Sequence, residues 1–543
     1  MLRKISNSES KSVTFSAIIL AVGGLISRIL GLLRDRLLAG RIGAGQELDI
    51  YFTAFRIPDF VYGILIAGGI VSVFLPVFAE YFKKERANEL TNYVLNAFLV
   101  ILIIICAVLA IFTGPLISLI APGFSASAKA ATVLLTRIMF LSPIFLGLSS
   151  IFSGILHYFN RFLIYSLAPI LYNLGIIFGI LFLYPLFGTL GLGYGVILGA
   201  LLHLLIQIPA VKSTGYFYKP LLNFSFPGLS KMFRLMIPRT LGMAANHINL
   251  IIITAIASFL AVGSISVFNF ANNLHYFPIG IVGFSFAISS FPIFSKFFVN
   301  GQKKEFFDNF SSSIRQIIFY ILPCAFLMFI LRAQIVRLVL GTGQFDWSAT
   351  RLTAASLGIF SLAIIAGSLI PLLTKAFFAM QDTKTPLLIS LISVIFNTVF
   401  SFYFVHLLGF SNIFSRFLIN LLKLESLRDI QVIALPLSFS LITALQAILL
   451  FCFIIKKIGN FKYQEIYYSF FKNFLAIVLT IPYIYLSLYI LASMVNMQSF
   501  LGILIQASLA LFIGLVLYIA FAYIFNSKEL SLLKSSFIKQ FKK

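Results

Sequence analysis

The chain has 543 residues, 60% of them hydrophobic and only 10% charged, with a formal net charge of +24 and a mean hydropathy of +1.04. A soluble domain of this length cannot bury so much apolar surface, and the apolar runs that recur from end to end are each long enough to cross a hydrocarbon core about 30 Å thick. Transmembrane barrels are excluded, because their strands alternate in character and run only ~9–11 residues. Nucleic-acid binding, which such a net charge would suggest in a soluble protein, is not expected. The basic residues sit mostly in short connections between apolar runs, where they set orientation and meet anionic lipid.

The predicted fold is an all-α polytopic membrane protein. Six spans are expected in the first half, at 14–40, 49–80, 92–118, 130–156, 163–186 and 189–211. Six more are expected at 232–260, 266–298, 313–340, 350–378, 386–408 and 431–455, and a final pair at 468–492 and 499–525, which makes 14. The basic start resembles a secretory signal. The apolar run continues past Gly31 towards Leu38 without a small-residue cleavage site, so an uncleaved first span is expected.

The first two spans hold most of the intramembrane charge: Arg28, Arg34, Asp35, Arg36, Asp49, Arg56 and Asp59. A cation at the centre of a spanning helix costs roughly 2.5–3.5 kcal/mol on insertion scales, so such a residue normally faces a polar interior. Arg28 and Asp35 are seven apart and share one helical face; Arg34 points elsewhere, and Arg36 and Arg41 are expected to snorkel to the interface. Two readings stand side by side. The charges pair with one another and fix the packing of two helices, or they form a cationic cavity for an anionic head group. Arginine suits the second task because its fork of donors grips phosphate oxygens bidentately and stays protonated when desolvated. Nearby carboxylates would hold the guanidinium groups in place.

Further along, Gly43-Ala44-Gly45 reads as a turn, and Gly68-Gly69 as a close packing point or a bend. Basic connections include Lys83-Lys84-Glu85-Arg86, Arg161, Lys212 to Lys231, Lys303-Lys304, Lys384, Lys456-Lys457 and the tail Lys539 to Lys543. Their alternation with Lys-poor connections places both termini on the cytoplasmic side. Residues 409–430 break that pattern with Arg416, Lys423 and Arg428 on the outer side, and their helical periodicity predicts an interfacial amphipathic helix. His157 and His203 read as packed or interfacial. His247 and His275 fall in the seventh and eighth spans, where packing competes with a place on a transport path. Cys106, Cys324 and Cys452 lie far apart in apolar runs and read as core residues. No metal site and no cofactor is expected. No acid can be placed within spans seven, eight, eleven or twelve, so a carboxylate sodium site there has no support.

An internal repeat is visible. Phe74-Leu-Pro-Val-Phe-Ala-Glu-Tyr-Phe82 resembles Ser290-Phe-Pro-Ile-Phe-Ser-Lys-Phe-Phe298 at a spacing of 216. Gly123-Phe124 precedes Gln344-Phe345 by 221, as Phe159-Asn160-Arg161 precedes Met380-Gln381-Asp382. The expected division is therefore a first six-helix lobe at 1–211, a second at 212–457 in parallel pseudo-repeat, and two C-terminal helices with a basic tail at 458–543. Parallel repeats of this kind are a transporter architecture with the substrate path between the halves.

Several segments together resemble one known family. SRILGLLRD (27–35), GAG with Asp49 (43–49), FRIPD (55–59), FLPVFAEY (74–81), APGF (121–124), NRF (160–162) and QDTKTP (381–386) are similar to the MurJ/MviN lipid II flippases. The resemblance covers nearly the whole chain. It implies two six-helix lobes of the multidrug/oligosaccharidyl-lipid/polysaccharide exporter type, plus two extra spans that shape a groove for a lipid tail. It implies a substrate, undecaprenyl-pyrophosphate carrying the disaccharide-pentapeptide precursor of peptidoglycan. A bacterial inner-membrane location goes with it, and the protein is expected to be a monomer that meets membrane lipids and no nucleic acid.

Arg28, Arg34 and Asp49 match positions that matter in or near the family's central cavity. Two departures stand out. Tyr62 occupies the place of a common second-span arginine. The eighth-span segment that often reads Ala-Asp-Arg, with an acid before Phe-Pro, here reads Ala271-Asn272-Asn273-Leu274-His275-Tyr276-Phe277-Pro278. Either Arg56 and a protonatable His275, with Asn273 beside it, substitute for the missing cations, or the first lobe holds the head group.

Rival functions are export of another polyprenyl-linked oligosaccharide or of cationic drugs on the same fold. A drug antiporter would want cavity acids without competing arginines. A membrane glycosyltransferase would need carboxylates and a substantial outer loop, and the expected outer loops are short and acid-poor. A scaffold in cell-wall assembly is the plainest alternative.

Overall fold

In the computed structural model, described for residues 13–64, 71–427, 429–459 and 463–532, helices account for nearly every element and no strand occurs among those residues. Gly68-Gly69, Arg428 and the tail from Lys539 to Lys543 lie outside them. Eleven helices among the described residues are long and apolar enough to cross a membrane. The other three expected spans coincide with Val13–Ile42, with the interrupted series Gln46–Ala54, Arg56–Val61 and Val71–Lys83, and with Pro227–Ala257. At 1.5 Å per residue, the 30 residues of Val13–Ile42 exceed the ~20 that a bilayer core requires.

By packing, the chain divides into two compact units, Met1–Ser266 with Thr342–Phe345, and Val267–Gly341 with Asp346–Lys543. The packing boundary thus falls past the seventh expected span, while the lobe boundary read from the repeat lies at 211. The cause is the apolar face of Pro227–Ala257: Leu229, Met232 and Met236 are buried in the first unit's core with Phe74, Phe98 and Ile151. Phe233 stacks on Phe98 at 5.4 Å between ring centroids.

The repeat is legible in the backbone. Pro76 and Pro292 sit inside the matching helices Val71–Lys83 and Phe284–Val299. Each of these is followed two residues on by a left-handed residue, Glu85 at φ 60° and Gly301 at φ 69°. Ser125 and Asp346 cap the helices that start at Ala126 and Trp347 by accepting from backbone amides three residues on, Ala128 and Ala349. Asn160 at φ 54° and Gln381 at φ 58° make the next pair of turns. Tyr62–Ile64 and Ile279–Gly283 both have π-helical geometry.

The first unit also contains a backbone-on-backbone helix pair not anticipated from sequence. A Cβ at Gly175 would lie 2.3 Å from the Cα of Gly199, and one at Gly179 would lie 2.4 Å from the Cα of Gly195. The four-residue spacing on both sides lets Phe162–Phe178, with the π-helical turn Gly179–Leu183 that continues it, touch Thr189–Leu205 backbone to backbone.

In the second unit, Phe294, Phe310, Leu372 and Phe377 centre the core. The last two spans, Gln464–Met494 and Phe500–Ile524, dock on Lys303–Ile330 through Leu327, Ile484 and Ala510. Tyr518 Oη donates to the Phe319 carbonyl at 2.8 Å, and Arg315 pairs with Glu465 at 3.1 Å. The connection at 409–430 holds a ten-residue helix, Ile413–Leu422, closed at its start by reciprocal bonds between Asn412 and Ser415. Ile413, Phe417 and Leu421 form its exposed apolar face, while Leu418 and Leu422 are buried. Arg351 fixes its far end by donating to the Lys423 carbonyl and to Ser426.

Candidate functional site

Within the first unit, five helices bring the intramembrane charges together. Val13–Ile42 supplies Arg28, Arg34 and Asp35, and the short helices from Gln46 to Val61 supply Asp49, Arg56 and Asp59. Phe162–Phe178 adds Asn173 and Tyr172, and Pro227–Ala257 adds Thr254.

Asp35 pairs with its sequence neighbour. Arg34 Nε and Nη2 both donate to Asp35 Oδ1, at 3.0 and 2.8 Å. The expectation that Arg34 points away from Asp35 is corrected by the length of the arginine side chain, which bends round the helix to reach it. Arg34 Nη1 meets Asn173 Oδ1 at 3.4 Å, and Asn173 Nδ2 in turn donates to Ser27 Oγ at 3.2 Å. A quarter of the Arg34 side chain stays accessible, against 6% for Asp35. Arg34 is thus held in place with donor surface to spare. Arg28 lies two turns earlier on the same helix and is half-buried.

Arg56 is buried, and its Nε donates to Thr254 Oγ1 at 2.7 Å. Asp59 is one helical turn further on, within electrostatic reach of both Arg56 and Arg34, and is exposed. Tyr51 and Tyr172 stand within the same reach of Arg34 and Asp59. Tyr62, where the family commonly has arginine, is half-buried beside Asp59. His247 lies over Gly63, where an added Cβ would meet its Nε2 at 1.9 Å, and it packs edge-on to Phe60. This is a packing role, as is that of His203, whose Nδ1 lies 2.6 Å from Ser149 Oγ.

Asp49 is 4% exposed, and both of its oxygens are engaged. Oδ2 accepts from the Gly263 amide at 2.7 Å; Oδ1 accepts from the Ser266 amide at 2.8 Å and from Ser266 Oγ at 2.6 Å. The carboxylate therefore satisfies orphan amides at the helix start near Ser264, where the positive end of the helix dipole favours it. In this arrangement Asp49 organises backbone instead of facing open space.

The second-unit candidates look different. His275 is 1% exposed, its Nδ1 lies 2.8 Å from the Asn272 carbonyl, and its ring stacks on Phe360 at 4.4 Å and 4°. Phe439 closes the other side edge-on at 5.8 Å. A ring enclosed in this way does not present a cation to a ligand, so the expected substitution of His275 for the family's missing charge gains no support. Asn273 is half-buried, and the buried Oδ1 of Asn272 has no hydrogen-bond partner. Among the described residues, no group of three or more His, Cys, Asp or Glu could hold a metal ion.

The family model described as "Lipid II flippase MurJ" matches residues 38–509. A probable lipid II flippase MurJ of Rickettsia prowazekii is 31% identical over 393 residues, covering 70% of this chain and 76% of its own length. The lipid II flippase MurJ of Burkholderia cenocepacia is 28% identical over 405 residues, 72% of this chain and 78% of its own. A solved lipid II flippase MurJ in an inward closed conformation superposes with a TM-score of 0.73 at 23% identity, over 94% of this chain and 98% of that one. An inward-facing multidrug resistance MATE transporter superposes with a TM-score of 0.64 at 15% identity, over 82% of this chain and 98% of that one, a likeness of fold alone. With a family match running through nearly every span, this multi-pass membrane protein belongs to the lipid II flippase MurJ family.

Proposed function

We propose that this chain flips lipid II, moving the undecaprenyl-pyrophosphate-linked peptidoglycan precursor from the cytoplasmic to the periplasmic leaflet of the inner membrane by alternating access. Arg28, Arg34 and Arg56 bind the diphosphate, and the prenyl chain stays in lipid. The observation that carries this reading is Arg34. It is fixed by Asp35 and Asn173 yet keeps a quarter of its side chain accessible, in a spanning helix where an idle cation would be costly. A guanidinium oriented beforehand loses less freedom on gripping phosphate, which favours binding.

Asp49 supports the site at one remove, by fixing the backbone at Gly263 and Ser266. The head group is held chiefly by the first lobe, and Asn273 and His275 contribute packing. The protein works as a monomer with both termini cytoplasmic, a topology supported by the alternation of its basic connections. Chemical transformation of the substrate is not part of this reading.

Native mass spectrometry of the purified protein with lipid II and with undecaprenyl phosphate tests it. Preference for lipid II, lost in Arg34→Ala, is the expected result. Equal binding of both lipids, or full growth of a flippase-depleted bacterium carrying Arg34→Ala at normal membrane levels, would overturn it.

A further inference from the structure

Asp59 stands apart from the other intramembrane acids of the first unit. Asp35 receives both bonds from Arg34, and Asp49 receives three from Gly263 and Ser266. The Asp59 carboxylate accepts no hydrogen bond from any described residue and is exposed. Charged and phenolic groups lie within its electrostatic reach. Arg56 lies one turn before it on the helix Arg56–Val61, and Arg34, Tyr51, Tyr62 and Tyr172 all interact with it electrostatically. His247 is within electrostatic reach of Arg56. An ionised acid in a spanning segment does not face hydrocarbon. An accessible carboxylate within electrostatic reach of two arginines and three tyrosines therefore argues for a polar hollow in the first unit, shared with Arg34.

We infer that Asp59 is the resident counter-anion of the phosphate site. The inference rests on the lipid II reading above and concerns how that site lets go. In the empty site, Asp35 balances Arg34 and Asp59 balances Arg56, so the hollow is not an uncompensated positive hole. The two acids differ in their attachment. Asp35 is bonded and stays; Asp59 is unbonded and can yield its share of both guanidinium groups to an entering diphosphate. Once the diphosphate is bound, Asp59 is a like charge beside it. Repulsion across a short distance in a site drier than water lowers affinity by about tenfold or more. Most of that difference appears as faster dissociation. A flippase needs this, because a head group held too tightly on one side is not released on the other.

The test uses full-length protein in lipid nanodiscs and proteoliposomes. Asp59→Asn keeps the shape and removes the charge. It is expected to bind lipid II about tenfold more tightly, dissociate more slowly and flip more slowly, while Asp59→Glu restores wild-type behaviour. A merely structural role predicts weaker binding and lower thermal stability in Asp59→Asn. Binding by Asp59→Asn no tighter than that of wild type overturns the inference. Inorganic pyrophosphate is the second probe. If Asp59→Asn binds pyrophosphate more tightly while the wild type ignores lipid II, the counter-anion stands and the substrate reading falls.

Discussion

Two turns one repeat apart show how the halves of this molecule use one backbone for opposite chemistry. Asn160 and Gln381 both adopt left-handed φ, and the next residue is Arg161 in one half and Asp382 in the other. Arg161 is buried and donates to the Ala210 carbonyl at 2.7 Å and to Ser213, at the end of the sixth span. Asp382 receives Lys457 at 2.6 Å, at the end of the twelfth. Each turn is tied to the last span of its half, once by a cation reaching for backbone and once by an acid receiving a cation. Geometry is shared and charge is free to vary. The same contrast holds at the candidate site. The first unit places arginines and acids in its opening helices, whereas the second fills its eighth span with a histidine stacked on one phenylalanine and closed edge-on by another.

If function resides in the first unit, the sharpest way to break the comparison is to remove its cations. Arg34→Ala or Arg56→Ala is expected to abolish flipping and to weaken lipid II binding about a hundredfold, measured by proteoliposome transport and native mass spectrometry. Asp49→Ala comes next, through stability. It strands two buried amides and a hydroxyl and should cost about 3 kcal/mol, read as a lower melting temperature. Asp49→Asn, which keeps an acceptor, should lose less.

On the other side of the comparison, His275→Phe preserves the aromatic stack and is expected to leave lipid II binding within about twofold of wild type, at a stability cost of about 1 kcal/mol for the lost polar contact. A collapse of binding in that variant would return the second unit to the site. The smallest effect belongs to Asp382. Burial pushes its carboxyl up, but bonds from Lys457 and Thr385 outweigh this and hold it below the ordinary carboxylate value. A lowered native pKa stabilises the fold above the unfolded-state value of about 3.9, and that stability is lost as pH falls through the native value. Because Lys457 is partly exposed, Asp382→Asn should cost under about 1 kcal/mol at pH 7. The difference from wild type should begin to shrink in melts below about pH 4 and vanish only below the still lower native value of the Asp382 carboxyl.

Much of the fold was legible because apolar length and loop charge act locally: the expected spans at 92–118, 350–378 and 386–408 lie on Ala87–Ile111, Trp347–Ala379 and Lys384–Leu408. The repeat was legible because prolines and turn residues punctuate both halves alike. The partners of the charges were not. Periodicity placed Arg28 and Asp35 on one face, but an arginine's reach let Arg34 take Asp35 instead. Nothing in the spacing of His275 revealed that Phe360 and Phe439, far along the chain, would enclose it. The glycines of Phe162–Phe178 and Thr189–Leu205 did carry a signal, their four-residue spacing, which marks helices that touch backbone to backbone.

The crossing of chains near Gly43 has a consequence of its own. Gly43, at φ 78°, would place a Cβ 2.6 Å from the Gln344 carbonyl oxygen, and Gly263, at φ 91°, one 2.3 Å from that of Ala44. At both glycines the nearest neighbour is a backbone oxygen, and the carboxylate of Asp49 ties the backbone at Gly263 and Ser266 close by. Backbone lies directly on backbone there, so a methyl group added at either glycine would act as a wedge and force the segments apart.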